Sequence, residues 1–214
     1  MNIPIFPLSM CLLPQGYSQL RIFEPRYKRL VTESLKSGQG FGLCMISDDK
    51  KSILPIGTLC KITDFETLAD GLLGITIYGE QKFVIESIAV EHDGLKRAQV
   101  KMLASWPSMS ISKILSSDMA STTGKTNNKL IVNKKQKSKT ITQAEEKMLS
   151  ETLKDLLNQY PQHLAHYHDD NFDDIAWVCQ RWLEIIPLKP SEKYQCINSD
   201  DHKMAQSLIS DIIK

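Results

Sequence analysis

Three places in this 214-residue chain bring reactive residue types close together. Thr123-Gly124-Lys125-Thr126 is the tail of a phosphate-binding loop. The full motif, G-x-x-x-x-G-K-[ST], cradles phosphate in glycine backbone amides, and its first glycine would fall at Met119. No strand run precedes it, so the segment reads as a linker. His163, His166 and His168, followed by Asp169 and Asp170, offer imidazole and carboxylate ligands. His163 and His166 can share a helix face and His168 cannot, so a polar inter-helix loop is the reading and no metal is expected. Serines and lysines occur without a serine on a strained turn beside a lysine that burial would neutralise. Cys11, Cys44 and Cys60 fall in or beside apolar runs and read as small buried hydrophobes. No catalytic residue and no cofactor is assigned.

The elements that hold these residues show first in the charge. The chain carries 26 basic and 25 acidic side chains, a formal +1. Residues 1–118 hold 13 basic and 12 acidic groups, and residues 119–144 hold six lysines and no acid. Residues 145–214 hold 7 basic and 13 acidic groups. The middle stretch, rich in Ser, Thr and Asn, cannot bury enough apolar surface to offset the entropy of ordering it. The expected organisation is a β-rich unit over 1–106, a basic flexible linker or insertion over 107–140, and a helical unit over 141–214. Five cysteines without a C-x-x-C pair, no apolar run of bilayer length and no basic leader predict a soluble, reduced, cytoplasmic protein without membrane attachment.

Asp70-Gly71, Gly79-Glu80 and Asp93-Gly94 are hairpin-turn signals, because glycine accepts the positive φ such turns need. The runs between them (57–65, 72–78, 81–90 and 95–103) predict four strands in an antiparallel meander. Further strands are expected at 3–8, 19–23 and 40–47. One helix is expected from Pro25, with Tyr27, Leu30, Val31 and Leu35 as its stripe and Gly38 as its stop. A small, partly closed barrel with one helix packed on it follows. Downstream, the capping box Thr142-x-x-Glu145 opens a helix that Pro161 stops. Asn171 is expected to cap a second helix, ended by Pro187, and Ser199 a third. Three apolar stripes make a small helical bundle.

Pro4-Ile5-Phe6-Pro7-Leu8 and Leu20-Arg21-Ile22-Phe23-Glu24-Pro25-Arg26-Tyr27 resemble the N-terminal, substrate-binding domain of the Lon protease family. Phe41-Gly42, Gly57-Thr58, Asp70-Gly71 and the run Gly79 to Phe83 agree with its later blocks, with Lys82 in place of the usual arginine. Trp177, Arg181, Trp182, Glu184, Pro187 and Leu188 resemble the W-x-x-x-R-W-x-E-x-x-P-L stretch of stand-alone bacterial members. The resemblance implies an α+β fold: a PUA-like antiparallel β pseudobarrel with one helix, then a C-terminal helical bundle. It implies a recognition domain without the ATPase and Ser-Lys protease modules, and a capacity to form a homodimer.

The function expected on this basis is non-catalytic binding of unfolded or partner polypeptide segments. Phe23, Arg26 and Tyr27 are assigned to one side of a peptide groove, since aromatic and arginine side chains anchor interfaces. Phe41, Tyr78 and Trp182 complete the assignment. A structural role for Glu24, Arg26 and Arg21 competes with it: an arginine bridging to a barrel carbonyl or carboxylate. The alternative function is a PUA-like nucleic-acid module aided by weak contact through Lys125–Lys139. Against it, the parts outside the basic stretch sum to −5 (20 basic, 25 acidic).

Overall fold

The computed structural model describes residues 1–110 and 143–213. Thr142, Leu130-Ile131-Val132 and Lys125–Lys139 lie outside the described residues. The apolar runs of the first part form β1 (Asn2–Leu8), β2 (Tyr17–Ile22), β3 (Phe41–Ile46), β4 (Ile53–Thr67), β5 (Leu73–Val90) and β6 (Lys96–Met102). Their order is β2-β5-β4-β3-β1-β6, and β6 pairs back onto β5, so five strands close on themselves and β2 extends the sheet from β5. β1 and β3 run parallel; all other pairs are antiparallel. The parallel pair is feasible because β2 and a helix lie between its strands in sequence.

The expected turn at Gly79-Glu80 does not exist. β5 runs unbroken through both residues, so the meander has three strands, two of them long. The ladder instead shifts register opposite this point, between Leu59 and Cys60 of β4. Gly79 serves a different need. The loop between β1 and β2 comes so close that a Cβ on Gly79 would lie 2.4 Å from the Leu13 carbonyl oxygen. Gln15 donates its backbone N–H to the Gly79 carbonyl (2.7 Å), and Gly79 donates to Gly16 (2.9 Å).

Helix α1 (Pro25–Ser37) starts with proline at its first turn and ends at Gly38, whose φ of +67° lets its N–H reach the Ser34 carbonyl (3.0 Å). Tyr27, Leu30, Val31 and Ser34 form the buried face. Leu35, expected in that stripe, is 51% exposed. At 100° per residue Ser34 sits at the centre of the stripe and Leu35 on its flank. Ser34 is accommodated because its hydroxyl donates to the Gly40 carbonyl (3.3 Å).

An ionic network ties α1 to the β5–β6 hairpin. Arg29 pairs with Glu91 and Asp93, and Arg97 pairs with Glu91 (2.7 Å) and Glu33 (2.6 Å). Hydrogen bonds from Arg97 and then Arg29 hold the Glu91 carboxyl below its ordinary value of 4.5. A depressed carboxyl stabilises the fold above its unfolded pKa, and that stability is lost as pH falls through the folded value. Glu91→Gln should therefore be less stable than wild type near about pH 6 and lose less on acidification to about pH 3, read from urea midpoints.

The second part folds as α2 (Gln143–Asn158), a short α3 (Pro161–Leu164), a 3₁₀ turn (Asp169–Asp173), α4 (Ile175–Ile185), α5 (Pro190–Ile197) and α6 (Lys203–Ile213). Asp174, and not Asn171, caps α4: its carboxylate accepts from the Ala176 N–H at 3.0 Å. Ser199 lies short of α6, and Asp201 accepts from Lys203 N–H (3.0 Å). α5 lies outside the three helices that the sequence predicts; it is one short stretch opened by Pro190, with the Lys189 N–H donating to the Glu192 carboxylate (2.9 Å).

α4 is buried on nearly every side, from Ile175 through Leu183. Each fully buried Ile, Val or Leu contributes about 1.5–3 kcal/mol, so this helix is the centre of the helical layer. Its core also takes in Cys11, Leu13, Met45, Ile56 and Trp106 from the strand-rich part. Trp106 donates its indole N–H to Ser199 (2.9 Å), and Lys82 donates its ammonium to the Ile197 carbonyl (3.1 Å) while lying over the Trp106 ring. Burial lowers the Lys82 pKa, with Asp200 acting in the opposite sense. All five cysteines are buried free thiols, and burial pushes Cys11 and Cys44 each up to about 12. Among the described residues no helix is long and apolar enough to cross a membrane.

Candidate functional site

The loop between β1 and β2 is held by a buried ion pair from α4. Arg181 and Glu184, three residues apart, share one helix face and meet at 2.8 Å. The Arg181 guanidinium also donates to the carbonyls of Leu13 (3.2 Å) and Pro14 (3.0 Å). Glu184 in turn accepts the Leu13 N–H (2.6 Å). Arg181 is 1% exposed. Its Nε and Nη1 have no hydrogen-bond partner, and the guanidinium lies over the rings of Trp177 (5.3 Å) and Tyr167 (5.9 Å). Burial raises the Glu184 pKa, and Arg181 and the Leu13 N–H pull against that. A Cβ on Gly16 would meet Glu184 at 2.5 Å, so the loop passes this pair at backbone distance.

Between this loop and the helices lies a cleft of about 380 Å³. Met10 and Leu12 form one wall, Leu156, Tyr160 and Ile185 the other, with Arg181 and Glu184 also in its lining. Tyr160 and Ile185 are 49% and 43% exposed, large apolar groups left facing solvent. At one end Tyr17 stacks on His166 (4.4 Å between rings) and packs on Tyr78 (4.9 Å). Its backbone N–H donates to the Tyr167 hydroxyl (3.2 Å). His163 lines the cleft and meets Tyr160 edge-on, while His168 turns its backbone N–H to Asn171 (2.8 Å). Among the described residues no group of three or more His, Cys, Asp or Glu could hold a metal ion.

A second cleft, of about 470 Å³, lies by the start of α1. Phe23, Arg26 and Tyr27 all line it. Phe23 is 62% exposed. Arg26 is pinned by Glu24 (2.8 Å) and the Gly94 carbonyl (3.2 Å), which is the structural bridge weighed against a binding role. Tyr27 is 8% exposed and stacks on Phe6 at 3.9 Å, so it forms floor and not wall. The other side carries Lys50, Lys51 and Lys96.

The other assigned residues lie away from both cleft linings. Phe41 has no exposed surface and packs inside the sheet, and Trp182 is 6% exposed, donating its indole N–H to the Leu149 carbonyl (3.0 Å). Neither is among the residues that line the two clefts. Tyr78 packs on Tyr17 (4.9 Å between rings) without lining the first cleft itself. The residues that shape that cleft (Leu156, Tyr160, Ile185, Arg181 and Glu184) were not assigned. One signal for the last two is present: a charged pair three residues apart inside the run from Trp177 to Pro187, where Gln180 is the only other polar side chain.

Fold and clefts together place the protein in a class: α+β domains in which a closed sheet is clamped to a helical layer and ligand-sized clefts open at the surface. The chain belongs to the family of ATP-dependent protease La (Lon) substrate-binding domains, whose family model matches residues 2–214. Its fold is similar to a crystal structure of a Lon N-terminal domain protein from Xanthomonas campestris. That match has a TM-score of 0.66 and 24% identity, and covers 98% of each chain. It is also similar to the N-terminal domain of a Mycobacterium avium complex Lon protease. There the TM-score is 0.59 and identity 12%, over 99% of this chain and 97% of that one.

Proposed function

We propose that this chain is a non-catalytic polypeptide-recognition module that binds apolar segments of unfolded or partner proteins in the cleft between the β1–β2 loop and the helices. The observation that carries this is the cleft itself, walled by Met10, Leu12, Leu156, Tyr160 and Ile185, two of them close to half exposed. An apolar side chain entering it would leave water against a rigid wall, because Arg181 and Glu184 fix the loop before any ligand arrives. Membership of a substrate-binding family supports the same reading. The nucleic-acid alternative depends on Lys125–Lys139, outside the described residues, and no observed feature favours it.

The test is fluorescence anisotropy with a labelled, reduced and alkylated protein that cannot refold. Wild type should bind it, and Tyr160→Ser with Ile185→Ser should weaken binding about tenfold or more, the loss of two interface anchors. Circular dichroism should be unchanged, since both side chains face solvent. Equal binding by wild type and the double variant would remove the cleft from the mechanism.

A further inference from the structure

Strand β2 joins the two clefts. Tyr17 and Ser18 lie at the first, and Arg21, with Phe23 just past the strand end, at the second. β2 pairs with β5 alone. Its register, Tyr17 to Tyr78 through Ile22 to Leu73, and the Gly79-to-Gly16 hydrogen bond put the even residues in contact with β5. In an antiparallel ladder the N–H and C=O groups of the alternate residues then point outward. These are Tyr17, Gln19 and Arg21. The Tyr17 N–H is taken by the Tyr167 hydroxyl. The outward backbone groups of Gln19 and Arg21 have no hydrogen-bond partner among the described residues, and both residues are exposed. An open edge of this kind accepts an added strand.

The charges at the far end favour one kind of strand. Arg21 is paired with Asp70, and Arg26 with Glu24. Lys50, Lys51 and Lys96 line the same cleft without a carboxylate partner among the described residues. The nearby acids are turned elsewhere: Asp48 accepts from Ser191, and Asp49 from Ser47 and the Lys51 N–H. The first cleft is mainly apolar, and the two charges in its lining, Arg181 and Glu184, are paired with each other. We propose that β2 takes up an extended polypeptide segment as an additional strand, its apolar end in the cleft at Tyr17 and its acidic end among Lys50, Lys51 and Lys96. This deepens the polypeptide-recognition reading and rests on it. Six residues of β2 span about 20 Å, so a segment of about ten residues reaches both clefts.

The probe is a synthetic peptide of that length, leucines at one end, alternating valine and threonine in the middle, glutamates at the other, made in both chain directions. Gln19→Pro removes one outward N–H from an edge position where proline fits a strand. It should weaken peptide binding about tenfold or more and leave the circular dichroism spectrum unchanged. N-methylation of alternate peptide nitrogens should do the same without altering the protein, and replacing glutamates by lysines should weaken binding comparably. If Gln19→Pro and the N-methylated peptide bind as the parents do while the unfolded protein still binds, strand addition is wrong and the groove reading stands. If neither the peptide nor the unfolded protein binds wild type, both readings fail. If Gln19→Pro instead turns a dimer into a monomer in sedimentation without affecting the peptide, the edge belongs to a second copy and the proposal is overturned.

Discussion

Arg181→Leu should lower the unfolding free energy by about 3–5 kcal/mol, the range for removing one partner of a buried ion pair. The loss has separable causes. Glu184 stays behind as a buried carboxylate without its cation, and the carbonyls of Leu13 and Pro14 lose their donor. The ring faces of Trp177 and Tyr167 lose a flat cation that a leucine does not match. The pH dependence tests this account. Burial already raises the Glu184 pKa, and removing Arg181 raises it further. A carboxyl raised on folding stabilises fully below its unfolded pKa, ordinarily 4.5, and loses that contribution as pH rises through the folded value. The deficit of Arg181→Leu against wild type should thus shrink as pH falls from about 7.5 towards about 5. Adding Glu184→Gln to Arg181→Leu should recover part of the loss at neutral pH, because the glutamine oxygen can still accept the Leu13 N–H while no charge is left buried. Urea denaturation at each pH measures all three. A constant deficit would mean that lost packing, and not a stranded carboxylate, is the cause.

Gly79→Ala should cost about 3 kcal/mol, from a backbone clash and two weakened hydrogen bonds. The added Cβ would stand 2.4 Å from the Leu13 carbonyl oxygen, and backbone cannot rotate aside as a side chain can. Gly71→Ala is the control. Gly71 has φ of +78° and nothing within 4 Å of a built Cβ, so it tests left-handed backbone alone, about 1–2 kcal/mol. Displacing Leu13 also displaces the atoms that Arg181 and Glu184 hold. Gly79→Ala and Arg181→Leu together should therefore cost less than the sum of the two. Additive losses would show that the loop and the ion pair are independent.

These two residues also show where sequence reasoning reached and where it stopped. The helix from Pro25 to Gly38 was legible because its signals are local: a proline, a stripe, a glycine. Gly79-Glu80 carried the same kind of signal and misled, because a glycine that accepts positive φ and a glycine that admits a neighbouring backbone look alike in sequence. The neighbour here is Leu13, 66 positions away. Phe41 and Trp182 are aromatic like Phe23 and Tyr27, yet aromatic residues serve core and interface alike, and only tertiary packing separates the two. Phe23, exposed beside Arg26, does stand in a cleft. Neither Tyr160 nor Ile185 carries a signal of its own in the sequence. They sit where the helical layer meets the loop, and that seam has no local signature.

The hydrogen bond from Leu13 to Glu184 joins residues 171 positions apart. At ribosomal speeds of about 5–20 residues per second, roughly ten to thirty seconds separate their synthesis. During that interval Cys11, Leu13, Met45 and Ile56 have no helical layer to cover them. The nascent chain is thus itself an unfolded polypeptide with apolar residues on show. A protein read here as a receptor for such segments must pass through the condition of its own ligand before it can act as one.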